Sequence, residues 1–586
     1  MLILGLPSFH NSGWGLVKDG KVVSAIQEER LNRVKSYPQH YRDDIEVYPM
    51  HLGIDYVFRE TGLSLADCDA VTIPMIPTHD KLVNAAMVSV DSVDEVLKKD
   101  MMPPYNKLLN LLKSREFSGK VVFINHQLSH ASYVYNYSGY NSCDILSYDG
   151  AGCGWPPEVV AGYHVDNHKY TKLLSHRVPH SLGHIYSNTT GRIFGESDCF
   201  YSKKLNRYMS DEANGKEGKV MGLASYGSPI DSYKMMVLDE DSDFYIATYQ
   251  PTNKIGYEGV EPYSTNLGTK QENIPRREKN KVWDFNDKSD IFYADLAATA
   301  QKSIEDAAMH YVKKLKKITG SKNICLTGGV ALNSCLNGLI KRSGIYESVF
   351  AGPATHDGGH GIGAPLYYYN HISEQKSEKI SNDFLGYPYT IEDCKNAAKD
   401  LGVSFKEFKD NKSLTEDIAD SLVNQKIIAV FSKGSEFGPR ALGHRSIVVD
   451  PRTQGMKDTL NARVKFREAY RPFAPIVLKE HALDYFEFEE SEYMLFVANA
   501  TEKAIKEVPA TIHVDGTARM QTVTDDNEPF YSMLNNFYRL TGVPVLLNTS
   551  FNIAGEPIVE TPEDAIKCFL GTSIDILYLD FLKIEK

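Results

Sequence analysis

The chain has 586 residues, a formal net charge of −12 at pH 7, and 42% hydrophobic and 11% aromatic content. That length exceeds what one core serves, and the composition suits packed globular domains rather than a disordered chain. The acidic balance argues against general nucleic-acid binding, no apolar run reaches the length of a membrane span, and eight scattered cysteines without a C-x-x-C indicate neither a disulfide framework nor a zinc ribbon.

The start, MLILGLPSFH, reads as a first β-strand; it has neither the basic leader nor the long apolar core of a signal peptide, so cytoplasm is the expected compartment. The loop SFHNSG follows, and GLVKDGKVVSAI places Asp19-Gly20 at a tight hairpin turn. In NHQLSHASYVY, Asn125 is an N-cap residue type, and His126 and His130 fall four apart on one helix face. That spacing suits a metal pair, yet two polar residues on an ordinary helix give the same pattern. DILSYDGAGCG predicts a strand from Asp144 ending at Asp149 in a glycine-rich turn. Residues 251–282, rich in Asn, Lys, Glu and Pro, read as a surface excursion. Near residue 290 a long amphipathic helix begins, with Phe292, Leu296, Ile304, Ala308, Tyr311 and Leu315 at helical spacing. It leads into ICLTGGVALN, a buried-type strand ending at Gly328-Gly329, and VFAGPATHDGGHGIGAP closes the region with Asp357 at a strand-to-loop junction. The polar stretch 371–383 is the expected linker between a domain of residues 1–370 and one of residues 384–586.

Strand ends that run into Asp-Gly or Gly-Gly let backbone N–H groups approach an anion closely. Three of them after separate strands resemble the actin-like ATPase fold, the superfamily of sugar kinases and Hsp70-type chaperones. Two helix imidazoles, His126 and His130, with the strand-end carboxylates of Asp149 and Asp357, would make a site for Fe²⁺, Zn²⁺ or Mn²⁺.

The set H-x-x-x-H, DGxG, TGGVALN and HDGG resembles the carbamoyltransferase family that includes the tobramycin, cephem and nodulation-factor O-carbamoyltransferases. Its N-terminal domain is similar to that of the tRNA threonylcarbamoyl-transfer enzyme. Further along, EFGPRALGHRSI, NARVKFREAYRPFAP, HVDGTARMQTV and LLNTSFNIAGEPIVETP resemble that family's YrdC-like domain. The expected fold is therefore α/β, an actin-like (duplicated ribonuclease H-like) N-terminal domain joined to an α+β YrdC-like C-terminal domain. One departure is Asn11, where the family usually shows Asp; it can hydrogen-bond but carries no charge.

The resemblance implies an ATP-dependent O-carbamoyltransferase that activates carbamoyl phosphate as carbamoyl adenylate and passes the carbamoyl group to a hydroxyl of a natural product or sugar. It implies Fe²⁺ or another divalent transition metal on His126, His130, Asp149 and Asp357, nucleotide against Gly328, Gly329 and Asn333, and Mg²⁺ with ATP. His356 and His360 flank the last motif and are expected outside the ligand set. Lys465 and Arg471 are the expected catalytic cations of the C-terminal half, with Arg440, Arg467, Arg519 and Ser550 on phosphate, because guanidinium forks suit phosphate and carbamate oxygens. His10 is the expected general base for the acceptor. Carbamoyl phosphate, ATP and a small alcohol are the expected partners, without nucleic acid or membrane; a homodimer is left open. Two alternatives remain at this point: a tRNA threonylcarbamoyladenosine-type modification enzyme and a non-catalytic actin-fold ATPase. The acidic balance weighs against the first, and the second has no use for the H-x-x-x-H pair.

Overall fold

A computed structural model describes residues 1–7, 12–33, 35, 52–59, 61–77, 85–99, 101, 105–152, 157–177, 180–194, 199–202, 207–210, 217–233, 235–240, 242–247, 277–278 and 281–586. His10 and Asn11 lie outside this set, as does most of the 251–282 excursion.

The first sheet holds β1 (Leu2–Gly5), β2 (Gly13–Lys18), β3 (Lys21–Gln27), β4 (Ala70–Ile73), β5 (Met87–Val90) and β6 (Lys120–Ile124), in the order β3-β2-β1-β4-β6-β5. The β2–β3 turn has φ of 50° at Asp19 and 79° at Gly20. Both lie in the left-handed region, as a turn matched to strand twist requires. β1 runs antiparallel to β2 and parallel to β4, and β4 is parallel to β6.

The second sheet repeats this plan. β7 (Ser142–Tyr148), β8 (Glu158–Asp166) and β9 (Lys169–Arg177) form an antiparallel meander, and β10 (Asn323–Thr327) and β11 (Ser348–Ala351) extend it in parallel on the far side of β7. Strands covered on both faces read as unbroken apolar runs, which is why ICL in β10 is fully buried.

The helices that position the candidate site are α1 (Glu28–Asn32), α2 (His126–Ser138), α3 (Lys288–Thr319), α4 (Ser334–Arg342) and α5 (His360–Ile372). Asn125 caps α2 by accepting from Leu128 N at 3.1 Å. Asp287 caps α3, and Gly320 closes it at φ 68°. α5 is held against both α2 and the first sheet by glycines. A Cβ on Gly363 would lie 2.1 Å from Ser129 O, and one on Gly361 would lie 2.4 Å from Gly13 O. Only the bare backbone allows that approach.

An eight-stranded sheet occupies the C-terminal third. Its strands are β12 (Lys406–Glu407), β13 (Ile428–Phe431), β14 (Arg445–Val449), β15 (Ala474–Leu478), β16 (Gln521–Val523), β17 (Val545–Ser550), β18 (Ile576–Leu579) and β19 (Leu582–Glu585), ordered β12-β19-β18-β13-β14-β17-β15-β16. Apolar packing runs on between this sheet and both others: Leu4, Trp14 and Phe123 share a core with Phe431 and Phe551, and Leu326 and Tyr311 share one with Ile476 and Phe486. The segment 371–383 runs along this junction. Ile380 N donates to Asn136 O at 3.0 Å, and Phe437 N donates to Asp383 O at 2.7 Å. The C-terminal end of the 251–282 excursion is also packed, since Arg277 is buried, bonds Asp290 at 2.8 Å and lies over Trp283. Among the described residues no helix is long and apolar enough to cross a membrane.

Candidate functional site

α2 presents His126 and His130 to the strand ends opposite, because β7 ends at Tyr148 and delivers Asp149 into the turn beyond it. Asp149 Oδ2 lies 2.9 Å from His126 Nε2 and 3.2 Å from His130 Nε2. Asp357 Oδ1, at the start of the short turn leading into α5, lies 3.6 and 3.4 Å from the same two nitrogens. All four side chains named from the sequence thus converge.

His360, expected outside the ligand set, lies within the cluster. Its ring centroid lies 4.3 Å from that of His126 and 4.0 Å from that of His130. His126, His130, Asp357 and His360 each offer a ligand atom within 4.8 Å of the others. The available signal was Asp357-x-x-His360, an i,i+3 pair that the start of α5 turns to one side.

These groups fit a divalent ion. His360 is fully buried, and neither ring nitrogen has a hydrogen-bond partner among the described residues. An imidazole so placed is costly unless something else takes its lone pair. Imidazole and carboxylate are also the donor set of a divalent transition metal. Burial, and then the charge of His130 and His126, holds His360 well below the usual imidazole range. His130 goes the other way: burial pulls it down, but hydrogen bonds and charge from Asp149 and Asp357 outweigh this and raise it to about 9. Burial alone would push Asp149 up, and the hydrogen bonds of His126 and His130 reverse that, holding it well below the usual carboxylate range.

The Gly328-Gly329 turn is tied to this cluster. Asp149 Oδ1 accepts from Gly150 N at 2.7 Å and from Gly329 N at 3.2 Å. Gly328 has φ of 87°, and a Cβ there would lie 2.3 Å from Tyr148 O, so no other residue fits. Asn333 caps α4 through Leu336 N at 3.0 Å and is held by Gln301, whose Oε1 accepts from Asn333 Nδ2 at 2.8 Å.

The basic residues named from the C-terminal half also gather. Arg471 and Arg519 lie near enough to Arg440 and Arg467 to act on both, and Arg471 acts on Arg519. Burial, followed by Arg519 and Arg471, pushes Arg440 well below its usual range; burial and Arg471 lower Arg519 to about 10. Lys465 is buried at one edge. Its ammonium donates to Ser550 O at 2.6 Å, Asn552 O at 2.9 Å and Asn552 Oδ1 at 2.8 Å, and Ser550 Oγ is 3.3 Å away. Three protons thus meet four oxygens, so Lys465 and Ser550 form one knot. Arg467 is fixed by Pro472 O at 3.0 Å and lies over the Phe473 ring. Arg471 faces Glu468 at 3.6 Å. Lys35 shares the field of Arg440, Arg467 and Arg471. Nothing local in EERLNRVK marks Lys35 as part of a site assembled more than 400 residues later.

Comparison with known proteins supplies a frame. Residues 2–366 match the family described as Carbamoyltransferase N-terminus, and residues 419–586 match Carbamoyltransferase C-terminus. The chain is 32% identical to the nodulation protein NolNO of Sinorhizobium fredii, covering 100% of this chain and 80% of that protein. It is 31% identical to an uncharacterized protein of Synechocystis sp., covering 100% of this chain and 96% of that one. Among solved structures, full-length HypF in a phosphate- and nucleotide-bound form aligns with 64% of this chain and 56% of its own at 14% identity, with a TM-score of 0.35.

Proposed function

The chain belongs to the carbamoyltransferase family, and from that premise we propose that it uses ATP to move the carbamoyl group of carbamoyl phosphate onto a hydroxyl of a small molecule through carbamoyl adenylate. The carrying observation is the presence of two chemically opposite clusters in one chain: a buried His/Asp centre and a gathering of cations.

In this reading the cation cluster of the C-terminal half binds carbamoyl phosphate and the ATP phosphates, with Mg²⁺ on the nucleotide. Hydrolysis of the carbamoyl–phosphate bond leaves carbamate and phosphate. A carbamate oxygen then attacks the α-phosphorus of ATP, and pyrophosphate leaves. Arg440, Arg467, Arg471 and Arg519 neutralise the accumulating negative charge, and their mutual repulsion is relieved by it. Lys465, saturated by Ser550 and Asn552, orders that wall.

The adenylate then meets the acceptor in the N-terminal half, where Gly328, Gly329 and Asn333 border the nucleotide and His10 takes the proton of the attacking hydroxyl. AMP leaves and the carbamate ester forms. His126, His130, Asp149 and Asp357, with His360 beside them, would hold Fe²⁺ or a similar ion; when bound, it supplies positive charge opposite the oxyanion of the addition step.

The repeated strand plan of the first two sheets supports a duplicated, actin-like N-terminal domain of residues 1–370. The eight-stranded sheet, drawn wholly from residues after 384, supports a separate YrdC-like domain. We take the protein to act in the cytoplasm on a small alcohol rather than on nucleic acid. Carbamoyl-phosphate-dependent release of pyrophosphate from ATP tests the reading, and ATP turnover indifferent to carbamoyl phosphate refutes it.

A further inference from the structure

Residues 27–33 and Lys35 adjoin the surroundings of both clusters. Gln27 Nε2, at the end of β3, lies 3.1 Å from His356 Nε2, and His356 adjoins Asp357 of the metal centre. Arg30, on α1, is only 1% exposed and crosses into the C-terminal half. One of its terminal nitrogens donates to Gly438 O at 2.9 Å; the other lies 3.9 Å from both Glu436 Oε2 and Glu560 Oε2. Arg33 donates to Ile558 O at 2.7 Å and Pro557 O at 3.0 Å. Lys35 ends the run within the field of the cation cluster.

What Arg30 grips is the loop from Glu436 to Arg440, and that loop has little freedom of its own. Glu436 Oε1 accepts from Leu442 N at 2.8 Å, His444 N at 2.9 Å and Arg445 N at 3.1 Å, which fixes the loop's start against β14. Gly438 has φ of 144°, and a Cβ there would lie 2.7 Å from Pro353 O, on the segment that leads to Asp357. Arg440 follows two residues later. Its guanidinium reaches the cation cluster from a backbone pinned at Glu436, at Gly438 and by Arg30. The fork of Arg30 suits the task, because one planar group meets a carbonyl on one side and two carboxylates on the other; an ammonium cannot match that geometry.

We propose that Arg30 is a positioning residue for the carbamoyl-phosphate half-reaction: from the N-terminal half it holds the Gly438 carbonyl and Glu436 so that Arg440 meets the anion in register. The inference rests on the reading of the cation cluster as the carbamoyl-phosphate site. It makes the β3–α1 run a strut by which the two sites keep a fixed relation.

The test uses the full-length, metal-loaded protein and four variants: Arg30→Lys, Arg440→Ala, the double variant and Gly438→Ala. Arg30→Lys keeps the buried charge but loses the fork. It is expected to raise the KM for carbamoyl phosphate about tenfold, with kcat within about threefold and transfer from supplied carbamoyl adenylate unchanged. Arg440→Ala should raise the same KM at least as far, and the double variant should be no worse than Arg440→Ala alone, because Arg30 acts through Arg440. A normal KM in Arg30→Lys overturns the proposal, and so do effects that multiply in the double variant. Equal loss of both half-reactions in Arg30→Lys also overturns it, since that is what a purely structural residue would give. If Arg30→Lys does not fold, Gly438→Ala displaces the same loop without touching the buried charges. It must then show the KM-only defect, and a normal KM there refutes the inference. A normal KM in Arg440→Ala brings down the site reading itself, which sets that failure apart from a failure of the strut alone.

Discussion

In the His/Asp cluster two carboxylates interleave with three imidazoles, so Asp149 and Asp357 each face both His126 and His130 at hydrogen-bonding or near-contact distance. In the cation cluster four arginines and two lysines share one field, with Glu468 beside Arg471. The first arrangement is largely paired: Asp149 and Asp357 hold His130 charged, while His360 keeps both ring nitrogens without a hydrogen-bond partner among the described residues. The second is frustrated. Arg440, Arg467, Arg519 and Lys465 are each pushed down by burial and by neighbouring cations. The chain keeps them together only by fastening them to rigid partners, as with Lys465 on Asn552 and Arg467 over Phe473. A site of the first kind suits an ion exchanged slowly, and one of the second kind suits an anion that arrives and leaves with each turnover.

The contrast breaks most sharply if the two halves do not divide the chemistry. His10→Ala is expected to retain carbamoyl-phosphate-dependent pyrophosphate release while transfer to the alcohol falls by about a hundred- to ten-thousandfold. Lys465→Ala should do the reverse, failing to form adenylate yet transferring from adenylate supplied to it. Pyrophosphate release measured beside product formation in both variants decides the matter; loss of release in His10→Ala would merge the two sites into one.

A second, large effect concerns metal content. Purified protein should carry roughly one equivalent of a transition metal, and His126→Ala should lose most of it with carbamoyl-phosphate affinity unchanged. Full retention in His126→Ala and His130→Ala, read by elemental analysis, would remove those residues from the ligand set.

Arg471→Ala sharpens the other side. It removes a charge-assisted contact worth about 1.5–3 kcal/mol, so carbamoyl-phosphate use should weaken by roughly ten- to a hundredfold. The ligand-free variant should nevertheless unfold no earlier than the parent, because one of the repelling cations is gone. Earlier unfolding, by thermal melt, would show the cluster to be better balanced than its geometry indicates.

The smallest effect is in pH. His130 has a folded value of about 9 against an ordinary 6.5, so its contribution to stability is complete below about pH 6.5 and disappears as pH rises through about 9. Metal-free protein should therefore lose roughly a few degrees of unfolding temperature over that span. Metal-loaded protein should stay flat there, because an ion, not a proton, occupies the imidazole. A flat profile for the metal-free protein would mean that Asp149 and Asp357 do not hold His130 charged.

Local backbone rules were enough to read much of this chain. Asp19-Gly20 forces a hairpin because both residues tolerate positive φ, and Asn125 starts a helix because its side chain replaces a missing backbone acceptor. His126 and His130 share a face because 3.6 residues make a turn. The periods of single elements are written in consecutive residues, and so were the segments that the family resemblance rests on. What only the tertiary structure decided is which distant segments meet. His360 joins the His/Asp cluster because glycines let α5 lie directly on α2. Lys35 lies in the field of cations more than 400 positions later, and Arg30 grips Gly438, because each sheet of the first half shares an apolar core with the sheet of the second. Such contacts leave no periodic trace, since they depend on how sheets are ordered and docked, and a charged side chain at residue 30 looks the same in sequence whether it meets water or a buried carboxylate.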